Sequence, residues 1–306
     1  MEFMQGLSGL YINEETAVTL GKFDGLHLGH QKLISRTKEQ ELLGLKSVVF
    51  TLDFNRKEML LTKEERRQLL SEKGISYLVE CPFTEEVASM EPERFVKEIL
   101  VERLHIKNVI VGADFHFGFE RKGDTTLLTE LGKIYDFQVE IIQKEQQNDR
   151  IVSSTYIREV LEKGEMETAA SLLSYPYFVT GEVLHGRHIG SKLLVPTVNL
   201  VPTTKKLLPP NGVYISRIYV GERVFGGITN IGYKPTVGEK FRGVETYLFD
   251  FEEDLYGVDI KVELLHYLRP EKKFASIDVL REQMNKDIQI GKAYFKEKEC
   301  EKEVAA

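Results

Sequence analysis

The segment Gly21–His30 constrains this chain most, because it joins a strand pattern to a helix pattern through a turn that carries glycines and two histidines. The apolar stretch Ala17–Leu20 before it predicts a buried strand, and the apolar spacing within Gln31–Leu43 predicts a helix. A glycine-rich turn of this kind leaves backbone N–H groups unpaired and pointing outward. His27 and His30 add two imidazoles that can donate hydrogen bonds to one anion. The pattern therefore predicts a site that stabilises a phosphate at a helix N-terminus.

Two simpler interpretations of this histidine pair stay open. A histidine near the start of a helix is usually a surface or capping residue. Two histidines three positions apart can also be half of a metal site, although no third ligand of suitable spacing stands nearby. The combination of strand, glycines and two histidines favours the nucleotide-phosphate interpretation over both.

Length, charge and cysteine usage limit the class of protein. A chain of 306 residues predicts two domains, each long enough to bury its own core. A net charge of −7 argues against a nucleic-acid partner, and no apolar run approaches the length of a membrane span. The residues Met1–Gln5 do not resemble a secretion signal, and Cys81 and Cys300 are too few for a disulfide framework. We therefore expect a cytoplasmic enzyme without a membrane partner.

The first part of the chain, residues 1–174, alternates short apolar runs with helical patterns. Thr62 and Glu65 form the spacing of a capping box that opens one of these helices. Alternating strands and helices predict an α/β domain with a parallel sheet covered on both faces, which binds ligands beyond the carboxyl ends of its strands. The predicted strands are Ala17–Leu20, Ser47–Leu52, Tyr77–Glu80, Val109–Val111 and Val139–Ile142.

The second part, residues 175–306, has a different sequence pattern, in which turn signals separate the predicted strands and no helices are predicted between them. Several short strands at this spacing predict a small antiparallel β-barrel, and Ile277–Phe295 predicts a C-terminal helix that packs across it. The predicted strands are Val179–Leu184, Val213–Val220, Arg223–Ile231, Glu245–Phe251 and Asp259–Leu268.

Two further segments of the first part carry side chains suited to a nucleotide. Gly112–Gly118 follows a predicted strand and sets a carboxylate and aromatic rings between glycines, which could hold a planar ring. Taken alone, this segment is more simply an aromatic loop that caps the core. Ser153–Arg158 places three hydroxyls at a helix start, a common capping pattern, together with an arginine that can bind phosphate through two hydrogen bonds.

In this order and spacing, the three segments resemble the nucleotidyltransferase module of bacterial FAD synthetases, which typically join an FMN adenylyltransferase to a riboflavin kinase. The resemblance implies a Rossmann-like fold for residues 1–174, with His27 and His30 as catalytic residues that contact the ATP phosphates. The other implied ATP- and phosphate-binding residues are Gly21, Phe23, Asp24, Gly29, Ser154, Thr155 and Arg158. The implied flavin-binding residues are Asn55, Asp114, Phe115 and Arg269.

The reaction implied by the resemblance is attack by the FMN phosphate on the α-phosphorus of ATP, which gives FAD and pyrophosphate. No protein nucleophile is needed, so catalysis consists of positioning and electrostatic stabilisation, with Mg²⁺ neutralising the triphosphate.

The loop after the second predicted strand departs from the family's pattern. The family usually has a proline–histidine–proline run there, whereas Asp53–Lys57 reads Asp-Phe-Asn-Arg-Lys. Asn55 and Arg56 are the candidates to replace the missing histidine. Lys22 likewise stands where an uncharged residue is more usual. These departures affect the expected substrate geometry and leave the reaction class unchanged.

The resemblance continues into the barrel at Pro196–Asn199, which is similar to the Pro-Thr-x-Asn signature of the kinase module. It implies that Thr197 and Asn199 bind Mg²⁺ with ATP and that Glu245 is the general base for the terminal hydroxyl of riboflavin. Standing alone, these residues would be read as an ordinary strand start and a solvent-facing glutamate. The implied ATP-binding glycines of this part are Gly186 and Gly190.

The kinase loop also departs from the family, because Ser191 and Leu194 replace a usual arginine and a usual glycine. A side chain at Leu194 obstructs the close approach of backbone to phosphate, so the kinase is the activity expected to be weakened. The leading hypothesis is synthesis of FMN from riboflavin and of FAD from FMN. The alternatives are a monofunctional FMN adenylyltransferase with a degenerate kinase domain and a non-catalytic flavin-binding regulator. A cytidylyltransferase is disfavoured because it would lack the barrel. The oligomeric state stays open.

Overall fold

A computed structural model describes residues 1–54, 57–184, 197–203, 205–235 and 240–305. The chain divides into two compact units, Met1–Ser154 and Thr155–Ala306. The helices that follow Ser154 thus belong to the second unit, whereas the sequence-based boundary lay at residue 174. The boundary between the functional domains stays a prediction.

The first unit is built on a six-stranded sheet whose order is β1-β4-β3-β2-β5-β6 and whose neighbouring strands are all parallel. The strands are β1 (Glu2–Gln5), β2 (Thr16–Gly21), β3 (Lys46–Asp53), β4 (Tyr77–Pro82), β5 (Ile106–Gly112) and β6 (Gln138–Ile142). A separate two-stranded ribbon consists of β7 (Gln146–Gln147) and β8 (Arg150–Ile151). The predicted parallel α/β sheet is confirmed, and β1 is an edge strand that the sequence did not indicate.

Helices connect the strands of this sheet. They are α1 (Leu28–Glu39), α2 (Lys63–Glu72), α3 (Glu85–Ala88), α4 (Pro92–Arg94) and α5 (Thr125–Tyr135). Short 3₁₀ turns cover Gln40–Leu43 and Phe119–Arg121, and a π-helical segment covers Phe95–Val101. The predicted capping box opens α2, because the Thr62 hydroxyl accepts from the backbone of Glu65 while the Glu65 carboxylate accepts from the backbone of Thr62.

The central strands of the first unit are buried on both faces, as expected for a parallel sheet covered by helices. Five of the six residues of β2 are buried, and Val18, Val48, Val79 and Val109 are fully inaccessible. The side chains of α1 and α5 close the two sides of this core through residues such as Ile34 and Leu128. The polar ends of the strands are therefore left to form a site at the carboxyl edge of the sheet.

The second unit contains an antiparallel sheet of order β10-β13-β12-β11-β14-β9. Its strands are β9 (Phe178–Glu182), β10 (Val198–Leu200), β11 (Gly212–Val220), β12 (Arg223–Pro235), β13 (Lys240–Leu248) and β14 (Asp259–Pro270). A bridge between Leu184 and Asn199 brings the two edges together, so the sheet nearly closes into the predicted barrel. The helices are α6 (Ser154–Glu162), α7 (Met166–Leu173) and the predicted C-terminal helix α8 (Ile277–Ala305).

Candidate active sites

The turn between β2 and α1 is built from left-handed backbone. Phe23, Gly25 and Leu26 have φ angles of 44°, 92° and 41°. Residues other than glycine rarely adopt such φ angles, so the surrounding structure must hold Phe23 and Leu26 in place. The Gln31 side-chain amide contributes by donating a hydrogen bond of 2.9 Å to the Leu26 carbonyl. The chain thereby reverses direction directly at the end of the strand and delivers His27 to the start of α1.

His27 and His30 stack on each other in this turn, with ring centroids 3.7 Å apart and planes inclined by 20°. His27 is the N-cap of α1, and its Nδ1 accepts from the backbone N–H of His30 at 3.4 Å. The proton of a neutral His27 therefore lies on Nε2. The ring of His30 also packs against Phe23, at a centroid distance of 5.2 Å. The two imidazoles form one rigid pair.

Burial keeps both imidazoles uncharged near neutral pH. It lowers the pKa of His27 to about 4, although the nearby Asp24 carboxylate opposes this shift. Burial also lowers the pKa of His30 well below its ordinary value, and the neighbouring His27 adds to the shift. The Nδ1 atom of His30 is buried without a hydrogen-bond partner among the described residues. Each neutral imidazole can therefore donate a hydrogen bond from its N–H to an anion, whereas an imidazolium could transfer its proton to that anion.

Asp24 holds the turn to two distant segments. Its carboxylate Oδ1 accepts from the backbone N–H of Leu60 at 2.9 Å, and its backbone carbonyl accepts from the Ser154 hydroxyl at 2.7 Å. Asp24 is buried and does not line the cavity described next. Its structural contacts thus shape the predicted phosphate site, and its predicted contact with the nucleotide stays a prediction.

A cavity of about 560 Å³ opens at the carboxyl edge of the sheet in the first unit. It brings together most of the residues that the sequence indicated for this half. Those that line it are Gly21, Phe23, His27, Gly29, His30, Asp114, Phe115 and Ser154. The segment Gly21–His30, called the phosphate turn below, and the Gly112–Gly118 loop lie far apart in the sequence and therefore share one site only in the folded chain.

An aromatic wall lines the same cavity, and the sequence analysis missed most of it. Phe54 and Phe83 pack with ring centroids 4.4 Å apart, while Phe115 and Phe117 stack at 5.5 Å. Phe95, from the π-helical segment, contacts Phe117 at 6.1 Å. A usable signal was present, because Phe54, Phe83 and Phe115 all follow within a few residues of the end of a strand. Rings in this position can sandwich a flat heterocycle.

Basic side chains are the other feature of the cavity that the sequence analysis did not assign to it. Lys22, Arg121 and Lys144 line it, and the ammonium of Lys144 lies 2.7 Å from the Asp114 carboxylate. Asp114 is therefore part of an ion pair at the rim. Its predicted contact with the flavin would have to accommodate Lys144 as well.

Some predicted residues lie elsewhere. Thr155 and Arg158 belong to the second unit, so their predicted contacts with the triphosphate stay predictions. Several others lie outside the described residues, and their roles also stay predictions: Asn55, Arg56, Gly186, Gly190, Ser191 and Leu194.

In the second unit, the strand pairing gathers the predicted kinase residues. Asn199 on β10 and Asn230 on β12 both stand opposite Glu245 on β13, so the three side chains share one face. The Thr197 hydroxyl donates a hydrogen bond of 2.7 Å to Glu245 Oε1. Thr246, the neighbour of Glu245, is fully buried on the opposite face. Asn230 is an addition to the predicted set.

Arg269 is engaged with the C-terminal helix. Its guanidinium makes three hydrogen bonds of 2.7–3.1 Å to the carboxylate of Asp287, which is only 2% exposed. This pair fastens α8 to β14. The predicted flavin contact of Arg269 stays a prediction, and its fixed partner limits how far the guanidinium can reach.

Among the described residues, no helix combines the length and apolar character needed to traverse a lipid bilayer.

Known proteins resemble this chain over nearly its whole length. A family profile described as FAD synthetase matches residues 11–156, and a profile described as riboflavin kinase matches residues 173–295. A crystal structure from Streptococcus pneumoniae, described as a macrolide-efflux protein, shares the fold with a TM-score of 0.84 and 26% identity. The match covers 95% of this chain and 99% of that one.

Three curated relatives carry the name bifunctional riboflavin kinase/FMN adenylyltransferase. The protein of Buchnera aphidicola (subsp. Schizaphis graminum) is 38% identical, over 96% of this chain and 99% of its own. That of Bacillus subtilis is 36% identical over 93% and 95%, and that of Escherichia coli K12 is 32% identical over 96% and 98%. This chain therefore belongs to the bifunctional riboflavin kinase/FMN adenylyltransferase family.

Proposed function

We propose that this protein makes FAD in two steps, phosphorylation of riboflavin in the second unit and adenylylation of FMN in the first. One observation carries the proposal: a single cavity joins a neutral histidine pair at a helix N-terminus to an aromatic wall. Its volume of about 560 Å³ is that of a typical small-molecule site, on the order of 300–1,000 Å³. Its two halves match a polyphosphate and a planar ring. ATP-dependent chemistry of this kind fits a cytoplasmic enzyme.

In the adenylylation step, an oxygen of the FMN phosphate bonds to the α-phosphorus of ATP, and the bond from that phosphorus to the bridging oxygen of the β-phosphate breaks. Pyrophosphate leaves with the bonding electrons. A phosphate monoester is mostly ionised near neutral pH, since its second pKa is about 6. No residue therefore has to remove a proton from the nucleophile.

His27 and His30 are the catalytic residues of this step. Hydrogen bonds from neutral imidazoles stabilise the charge that grows on the phosphate oxygens, and the N-terminus of α1 adds to the same field. The stacking of the rings and the N-cap bond of His27 fix these donors before the substrate arrives. Backbone at Gly21 and Gly29 and the hydroxyls of Ser154 and Thr155, with Arg158, are proposed to hold the triphosphate.

In the kinase step, the oxygen of the terminal hydroxyl of riboflavin loses its proton and bonds to the γ-phosphorus of ATP. The bond from that phosphorus to the bridging oxygen of the β-phosphate breaks, and ADP leaves with the bonding electrons. Glu245 is the proposed base, and the hydrogen bond from Thr197 orients its carboxylate. The hydroxyl of Thr197 and the amide of Asn199 offer the hard oxygen ligands that suit Mg²⁺, which when bound would neutralise the ATP phosphates.

The test incubates the full chain with Mg²⁺-ATP and either riboflavin or FMN, followed by chromatography of the flavins. FMN from riboflavin and FAD from FMN are the expected products. FAD from FMN alone would indicate the monofunctional enzyme that the departures at Ser191 and Leu194 suggest. Binding of flavin with no conversion of either would indicate a regulator instead.

A further inference from the structure

Lys22 is held beside the aromatic wall by two neighbouring strand ends. It directly follows the end of β2, and its backbone carbonyl accepts from the Thr51 hydroxyl of β3 at 3.2 Å. Its ammonium Nζ lies 4.6 Å from the ring centroid of Phe54, the first residue after β3. This geometry is that of a cation–π contact.

The contact joins the two places where the first half of the sequence departs from its family's usual pattern. Lys22 replaces a usually uncharged residue, and Phe54 lies in the altered Asp53–Lys57 loop. Both line the cavity together with His27 and His30, and Phe54 in turn packs on Phe83. The ammonium therefore sits where the phosphate turn meets the aromatic wall.

The charge of Lys22 is better matched by a phosphate than by a ring. A phosphate carries a full negative charge, which attracts an ammonium more strongly than the quadrupole of a benzene ring does. Lys22 lines the cavity together with the histidine pair and the aromatic rings, and Lys144, on the same cavity, lies 2.7 Å from the Asp114 carboxylate.

We propose that Lys22 binds a phosphate of a substrate of the adenylylation site, and that its side chain rests on Phe54 until that phosphate arrives. The proposal rests on the proposed function of the first unit. The phosphate is that of FMN or one of those of ATP, and the two sources are separated by the experiment. Phe54, released by the ammonium, then offers its face to a planar ring.

The kinetic test compares K22M with K22R and with the control K107M. Lys107 lies at the opposite end of β5 from the cavity and is paired with Asp136, so K107M makes the same change on the surface. Loss of a charge-assisted hydrogen bond should raise the KM for FMN or for ATP about ten-fold in K22M. The value of kcat should change little, because the phosphate is bound in the ground state and the transition state alike. K22R should recover most of the loss, and K107M should behave as wild type. Phosphorylation of riboflavin in the second unit should be unchanged.

A second measurement does not depend on turnover. The rate at which an amine reagent labels Lys22 is measured with FMN and with riboflavin, and separately with ATP and with adenosine. Slower labelling with FMN than with riboflavin assigns the phosphate to the flavin. Slower labelling with ATP than with adenosine assigns it to the nucleotide. Unchanged KM values in K22M together with equal protection by the phosphorylated and unphosphorylated ligands would overturn the proposal. Failure of the wild-type chain to form FAD would instead overturn the proposed function, and phosphate-dependent protection would still assign the Lys22 contact.

Discussion

Thr197 donates its hydroxyl hydrogen to Glu245 across 2.7 Å, although the two residues are 48 positions apart in the sequence. Thr197 directly precedes β10, and on β10 itself Asn199 stands directly opposite Glu245 of β13. A carboxylate that must act as a base needs a fixed orientation, and the hydrogen bond from the Thr197 hydroxyl helps to fix it. The barrel thus places the candidate base and the candidate metal ligands side by side.

Replacement of Glu245 by glutamine should separate the two activities. E245Q keeps an oxygen that can accept from Thr197 but cannot take a proton, so phosphorylation of riboflavin should fall by about 10²–10⁴-fold. Formation of FAD from added FMN should stay at the wild-type level. Both rates are measured by chromatography of the flavins, with E253Q as a control because Glu253 pairs with Arg223 on the surface. Equal loss of both activities would contradict separate sites.

Replacement of His30 by alanine should have the opposite pattern. H30A removes a donor from the stacked pair, so the kcat for FAD formation should fall by about 10²-fold or more while phosphorylation of riboflavin continues. H266A serves as a control, because His266 is paired with Glu167 in the second unit. Near-normal FAD formation by H30A would refute the catalytic role of the pair.

The stability of the protein should depend on pH through His27. The pKa of this histidine is 6.5 ordinarily and about 4 in the folded chain, so the unfolded chain binds more protons between these values. The free energy of unfolding should therefore fall as the pH drops from 7 to 4, by about 3 kcal/mol from this group alone. Urea unfolding of wild type and H27N gives the difference, since asparagine can still cap the helix but does not titrate. Parallel pH curves for the two proteins would argue against a buried neutral His27.

A buried ion network in the first unit should be costly to break. Arg66 Nη2 lies 2.5 Å from Glu80 Oε1 and 3.2 Å from Asp53 Oδ1, and Glu80 is 1% exposed. R66M leaves the buried Glu80 carboxylate with less compensating positive charge, so the free energy of unfolding should fall by about 3 kcal/mol. R94M is the control, because Arg94 and Glu98 form an exposed pair and the loss of that pair should change the free energy of unfolding far less. Denaturant titration measures both, and equal effects would contradict the prediction.

The strands and the phosphate turn could be predicted from the sequence because their signals are local. Strand alternation is local in the same sense: Val244 and Glu245 are neighbours on β13, and the structure buries Val244 while Glu245 pairs with Thr197. The predicted end of that strand was wrong by three residues. Asp250 has a left-handed φ of 54°, so the chain turns there and leaves Phe251 outside the ladder.

The aromatic wall could not be predicted in the same way. All its rings but Phe95 follow the ends of β3, β4 and β5, and these rings meet only because the sheet has the order β4-β3-β2-β5. Sequence order does not give spatial order in a parallel sheet, since every connection crosses over it. The contact between Lys22 and Phe54 depends on the same adjacency, of β2 with β3.

The hydrogen bonds from Leu60 and Ser154 to Asp24 have a consequence for the order of folding. They tie the turn to Leu60 and to Ser154, the last residue of the first unit, so a contiguous motif acquires its shape only after distant parts of the chain have docked. A collapsed intermediate with β2 and α1 in place would still lack a formed anion pocket. Regain of nucleotide binding during refolding should therefore lag behind the return of secondary structure and report the completion of the domain.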